Sequence, residues 1–231
     1  MRDLIQPDWN VTQARAFVTA APFGDMGSEA GRAKVRELVP AEPRWMHQVH
    51  GVRVIDADST ASLVQADAAV ARKPGTVCVV KIADCMPVFF AGSDVVGVAH
   101  AGWRGLAGGV LEATLDAMRV APDSVDAWLG PAIGPRVYEV GDEVRAAFGG
   151  HQGAFEPTRP GHWLVDLYAI ARAKLQAKGV RRIGGGGFCT YTERDRFFSY
   201  RRDRTEKRMA ALIWLAQKPA SLRAHVESPA P

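Results

Sequence analysis

Three side chains in this sequence carry donor atoms that could form a metal centre. Cys85 lies in Ile82-Ala83-Asp84-Cys85-Met86-Pro87, His100 opens His100-Ala101-Gly102-Trp103-Arg104-Gly105, and His50 lies upstream in Gln48-Val49-His50-Gly51. One thiolate and two imidazoles are the soft and borderline donors that Zn²⁺ selects, and three protein ligands leave a fourth tetrahedral position for water or substrate. A closed structural zinc would bring a fourth ligand. Gly102 and Gly105 bracket the entry to a helix, so backbone N–H groups there could face an anion, with Arg104 reinforcing it. Each residue also has an ordinary reading: a cysteine is commonly a small buried hydrophobe, and these gaps are not a paired Cys-x-x-Cys signature. Spacing alone leaves metal site and inert core both open.

The surrounding elements put these residues at strand ends. Residues 45–50, 52–55, 68–70, 76–82, 88–90 and 95–100 read as short strands, rich in β-branched and aromatic side chains and divided by Gly, Pro, Ser and Asp. Loops at strand ends present function on a rigid scaffold. His47, three residues before His50, would point to the opposite face of an alternating strand and is expected not to be a ligand. Further strands are expected at 14–20, 126–129, 197–200 and 209–215. Helices are expected at 28–38 with Ser28 as cap, at 141–148, and at 166–178 with Asp166 as N-cap and Gly179 past the end. A single helix from 103 to 120, with the stripe Leu106, Val110, Ala113 and Ala117, is expected to end at Pro122. Residues 1–217 are expected to form one domain and 218–231 a disordered tail. Strands and helices mix without a regular βαβ period, which fits an α/β (α+β) sandwich of packed sheets with outer helices.

Composition narrows the function. With 231 residues, 47% hydrophobic and 23% charged, the chain can bury a full core. No run reaches the roughly twenty apolar residues of a membrane span, and the first residues lack the pattern of a secretory leader, so a cytoplasmic protein is expected. Three scattered cysteines, Cys78, Cys85 and Cys189, suit a reducing compartment. The net charge of +4 is local, because residues 181–208 hold nine basic and four acidic residues. A compact arginine group suits a phosphate-bearing small molecule better than a duplex, so neither a nucleic-acid nor a membrane partner is expected.

Five strings, in order, carry a resemblance: Gln48-Val49-His50-Gly51, Ala83-Asp84-Cys85-Met86-Pro87-Val88, His100-Ala101-Gly102-Trp103-Arg104-Gly105, Leu129-Gly130-Pro131-Ala132-Ile133-Gly134-Pro135, and Cys189-Thr190-Tyr191-Thr192 with Phe198-Ser199-Tyr200-Arg201-Arg202. They resemble the laccase-domain family, once labelled multicopper polyphenol oxidase. Its members are similar to purine nucleoside phosphorylases with adenosine deaminase activity, and they include the bacterial peptidoglycan editing factor. The resemblance runs from about residue 14 to residue 215. It implies a four-layer α-β-β-α sandwich with mixed sheets and a zinc ion on His50, Cys85 and His100. It also implies phosphorolysis of adenosine, inosine and methylthioadenosine to base and sugar phosphate, with adenosine deamination as a second reaction. One departure stands out. The family's Thr-Arg-x-Gly-Gly-x-Ser and Ser-Leu-Asn-Leu segments are missing between Phe17 and Asp25, which implies a more open pocket, altered specificity or weaker activity.

Within that frame Cys85 and Asp84 are the expected catalytic pair, with Asp84 moving a proton during attack at C6 of adenosine. Arg104, Arg201 and Arg202 are expected to hold phosphate through bidentate contacts. The expected partners are a purine nucleoside and phosphate. Cys189 is open between site wall and core. Three rivals stand beside this reading. A copper oxidase would draw several coppers from only six histidines, a poor supply. A metal-free hydrolase editing peptidoglycan precursors would use Cys85 as nucleophile and His100 as base. A non-catalytic nucleoside-binding module would follow from the shortened N-terminal segment.

Overall fold

The computed structural model describes residues 3–60 and 63–217, so the tail expected at 218–231 lies outside the described residues. In chain order the strands are β1 Leu4–Ile5, β2 Ala14–Thr19, β3 Val54–Asp56, β4 Ala68–Ala71, β5 Cys78–Ile82, β6 Met86–Ala91 and β7 Val96–Ala101. They continue with β8 Asp126–Leu129, β9 Glu139–Gly141, β10 Phe155–Arg159, β11 His162–Val165, β12 Arg182–Gly185 and β13 Met209–Leu215. The helices are α1 Glu29–Arg36, α2 Trp103–Gly108, α3 Val110–Met118, α4 Asp142–Ala147, α5 Leu167–Ala177 and the single turn α6 Tyr200–Asp203.

Two large sheets stack on each other. One is antiparallel in the order β1-β2-β13-β5. The other, β12-β8-β6-β7-β4-β3, is mixed, with parallel pairs at its two edges. Alternation along the strands builds the layers, because successive side chains leave opposite faces. On β6, Phe89 joins Val80, Val98, Trp128 and Ile213 between the sheets, while Val88 and Phe90 pack outward with Leu111, Leu115, Ile170 and Leu175 from α3 and α5. The outer face of the antiparallel sheet packs Phe17, Val79 and Leu212 against Val35 of α1. The result is the four-layer α-β-β-α sandwich. A third, small antiparallel sheet, β10-β11-β9, sits beside it. Among the described residues no helix is long and apolar enough to cross a membrane.

Several expected elements formed as read. Ser28 accepts the Gly31 N–H at 3.1 Å at the start of α1, and Asp166 accepts the Ala169 N–H at 3.0 Å at the start of α5. Others differ. Residues 45–50 are not a strand; they make only the isolated bridge His47↔Gln65, with Arg44↔Cys78 just before them, because the chain turns at His50, whose φ is +60°. The expected helix over 103–120 is two helices, broken at Gly109 with φ +98° and closed by Arg119 in a left-handed conformation before Pro122 is reached. The break rotates the buried face of α3 onto Val110, Leu111, Thr114, Leu115 and Met118, away from Ala113 and Ala117. Residues 197–200 form no strand; Ser199 caps α6 by accepting the Arg202 N–H. The three-stranded side sheet was not anticipated, since β10 is almost wholly exposed and lacks apolar alternation.

Candidate metal centre

Antiparallel pairing of β6 with β7 sets Pro87 opposite His100, so the turn that carries Cys85 lies beside the end of β7. His50 reaches the same place from the turn after residue 49. The donor atoms of His50, Cys85 and His100 all lie within 4.8 Å of one another. Cys85 Sγ is 3.7 Å from His50 Nε2, and the two imidazole rings are 4.9 Å apart between centroids. Metal–sulfur and metal–nitrogen bonds of normal length at a tetrahedral angle put sulfur and nitrogen roughly 3.6 Å apart. The donor set and its spacing fit a divalent ion. His47 is not among these residues.

One buried carboxylate builds the cluster. Asp67, fully buried, accepts the consecutive backbone N–H groups of Val49, His50 and Gly51 at 3.1, 2.9 and 2.8 Å. That clasp holds His50 in its left-handed conformation, which a non-glycine residue adopts at a cost. Asp67 Oδ1 also lies 2.8 Å from His100 Nδ1. An ionised carboxylate only accepts, so Nδ1 carries a proton, and Nε2 is the nitrogen left to face an ion, which would displace any proton held there. Burial works against the charged form of Asp67, yet the bonds from His100, Gly51 and Val49 hold its carboxyl below the ordinary range. Gly102 completes the fit. A Cβ there would sit 2.8 Å from Cys85 Sγ and 3.1 Å from His50 Cδ2.

The electrostatics are those of a thiolate among imidazoles. Burial alone would raise the Cys85 thiol, but His100 and His50 outweigh it and bring it down to about 6. Burial would likewise depress His100, and the Cys85 and Asp67 charges instead carry it up to about 9.

The other expected site residues divide. Asp84 sits at φ +81°, and its carboxylate accepts the Thr190 hydroxyl at 2.6 Å and the Arg201 N–H at 2.7 Å. Each oxygen keeps a second lone pair, and a proton-shuttle role for Asp84 would use one of these. Arg201 donates Nη1 to the Glu139 carbonyl at 2.8 Å and stacks its guanidinium 5.0 Å over the Tyr138 ring. Arg202 is turned inward, donating to the carbonyls of Thr190, Tyr191 and Phe197 and to Asp203. Those bonds leave it little capacity for phosphate. Arg104 is exposed and stacks 4.4 Å over Trp103.

Two residues escaped the sequence reading. Asp67 could have been found as an acid directly preceding β4, whose four residues are all buried. Tyr138 has no such signal. Burial pushes its phenol up to about 12, with Cys85 and Asp84 adding to the shift and Arg201 and Arg104 opposing it, which marks it as part of the same electrostatic neighbourhood.

The chain is similar to known proteins along most of its length. The family described as multi-copper polyphenol oxidoreductase laccase matches residues 29–216. Purine nucleoside phosphorylase PA4543 of Pseudomonas aeruginosa is 42% identical over 93% of this chain and 99% of its own length. Purine nucleoside phosphorylase YfiH of Shigella flexneri is 48% identical over 93% of this chain and 100% of its own. Among solved structures, Neisseria meningitidis protein NMB0706 superposes with a TM-score of 0.89 at 37% identity, covering 93% of this chain and 100% of that one. YlmD of Geobacillus stearothermophilus superposes with a TM-score of 0.79 at 28% identity, covering 89% and 93%.

Proposed function

Because the chain belongs to the multi-copper polyphenol oxidoreductase laccase family, and its close relatives are named as nucleoside enzymes, we propose that it is a zinc-dependent purine nucleoside phosphorylase with adenosine deaminase activity. The observation that carries this reading is the convergence of His50, Cys85 and His100, oriented by Asp67. Among the described residues this is the one cluster of its kind. A single three-ligand site argues against the copper oxidase chemistry of the family's description, which needs several coppers.

His50, Cys85 and His100 would hold the ion, which when bound supplies Lewis-acid polarisation of a substrate oxygen or of water. In phosphorolysis of adenosine, inosine or methylthioadenosine, a phosphate oxygen forms a bond to the anomeric carbon as the glycosidic C–N bond breaks. The bonding pair leaves with the base, which takes the proton that phosphate gives up. Arg201 and Arg104 hold and orient the phosphate. Asp84 fixes the Arg201 backbone through its Oδ2. In deamination, water adds at C6 and ammonia leaves, and Asp84 would move the proton through a lone pair that its bonds to Thr190 and Arg201 leave free.

Purified protein is assayed with adenosine, with and without phosphate, and the products are resolved by chromatography. Adenine formed only with phosphate supports phosphorolysis, and inosine formed without it supports deamination. Absence of both products with a zinc-loaded sample overturns the reading. Stoichiometric zinc, lost together with activity in Cys85→Ser, ties the chemistry to the cluster.

A second reading has its own observation. Cys85, His100 and Asp67 follow the order of nucleophile, base and orienting carboxylate, which suits a metal-free hydrolase of peptidoglycan precursors. Activity that survives complete removal of metal would favour it.

A further inference from the structure

A cavity of about 380 Å³ opens between the loop Gly134–Val137 and the glycine strap that follows β12, and none of His50, Cys85 and His100 lines it. That volume falls within the range of small-molecule sites, roughly 300–1,000 Å³. Its walls combine flat apolar surface with unmatched donors. Pro135 and Val137 give the apolar side, and Phe188 lines the cavity while its ring also packs against Trp128 and Phe197 with Arg196 over it. Arg136, on the rim, makes no hydrogen bond or ion pair among the described residues. The backbone N–H groups of Gly187 and Phe188 likewise meet no acceptor within the described protein.

The strap is built to keep those donors near positive charge. Arg172 donates to the carbonyls of Ile183 and Gly185 at 2.8 and 2.6 Å, so its guanidinium is fixed against the strap. A Cβ on Gly186 would press to 3.2 Å from Arg172 Nη2. Gly187 has φ +78° and nothing within 4 Å of where a Cβ would stand, so its glycine answers to backbone conformation and not to packing. Two arginines face one acid, Asp166, and one Asp166 oxygen already caps α5. Unfilled N–H groups beside a free guanidinium are the donor arrangement that phosphate oxygens take.

We propose that this cavity is a second ligand site, for a phosphate monoester carried on a flat ring, of the nucleoside monophosphate class. The phosphate lies against Arg136 and the Gly187 and Phe188 N–H groups, and the ring lies against Pro135, Val137 and Phe188. Cys189 lines the same cavity, where its sulfur accepts the Gly134 N–H at 3.3 Å. It therefore reports occupancy without reference to any enzymatic activity.

The test is alkylation of the intact protein with iodoacetamide, with Cys189 and Cys85 followed separately by peptide mass spectrometry. Adenosine 5′-monophosphate should slow Cys189 labelling at least tenfold, well beyond the effect of adenosine or inorganic phosphate at equal concentration. Arg136→Ala, which removes an exposed side chain without partners, should abolish that protection while leaving nucleoside turnover unchanged. Equal protection by all three probes, no protection by any, or full protection in Arg136→Ala would each overturn the proposal. Because the readout is labelling at Cys189, the outcome is independent of whether the metal centre proves to be a phosphorylase.

Discussion

Asp67 and His100 are joined twice: side chain to side chain at 2.8 Å, and from the His100 N–H to the Asp67 carbonyl at 2.7 Å. The same carboxylate clasps the turn of His50, so one buried acid sets both imidazoles. Asp67→Asn keeps the size but turns one of the two acceptor oxygens into an NH₂ donor that faces N–H groups. The expected result is a 10- to 100-fold loss of zinc affinity, read by competition with a chromophoric chelator. Unchanged affinity would show that the clasp is not what orients the ligands.

Gly102→Ala puts a methyl group where the cluster needs room, within 2.8 Å of Cys85 Sγ. Zinc stoichiometry should fall well below that of the wild type while the far-ultraviolet circular dichroism spectrum is unaltered. Full zinc content in this variant would contradict the placement of the thiol.

The neighbouring arginines should separate by readout. Arg201→Ala is expected to raise KM for phosphate about tenfold or more with little change in melting temperature. Arg202→Ala strips donors from three carbonyls and is expected to cost about 1–3 kcal/mol in denaturant unfolding. An exchange of these two effects would reverse their assignment.

Burial pushes the Cys78 thiol well above its ordinary value of 9.0, aided by Asp58 and Asp56. The sign follows from linkage: above pH 9 the unfolded thiol loses its proton while the folded one keeps it, so stability falls as pH rises. Relative to Cys78→Ala, the wild type should lose up to about 1.4 kcal/mol per pH unit above pH 9. Parallel pH profiles for the two proteins would refute it.

The residues of the candidate site were more legible than the residues that hold them. His50, Cys85 and His100 announce themselves by donor chemistry and by the strings around them, and the layered fold follows from short apolar strands. Asp67 did not, because its partners are backbone groups 16 to 18 residues away and a histidine 33 residues away. Arg202 shows the converse. Its sequence neighbourhood is basic, so it reads as a phosphate ligand until tertiary packing supplies carbonyls on every side. The misread strand at 45–50 and the broken helix at Gly109 have one cause, since both depend on backbone angles that side-chain periodicity does not encode.

The turn bearing Cys85 is fastened at Asp84 by Thr190 and Arg201, which lie 106 and 117 residues later in the chain. A nascent polypeptide that has released only its first half into solution holds all three ligands but not the latch that shapes their cradle. Loading of an ion at this cluster would therefore belong to the end of synthesis, and a fragment ending before residue 190 should bind metal loosely even with every donor present.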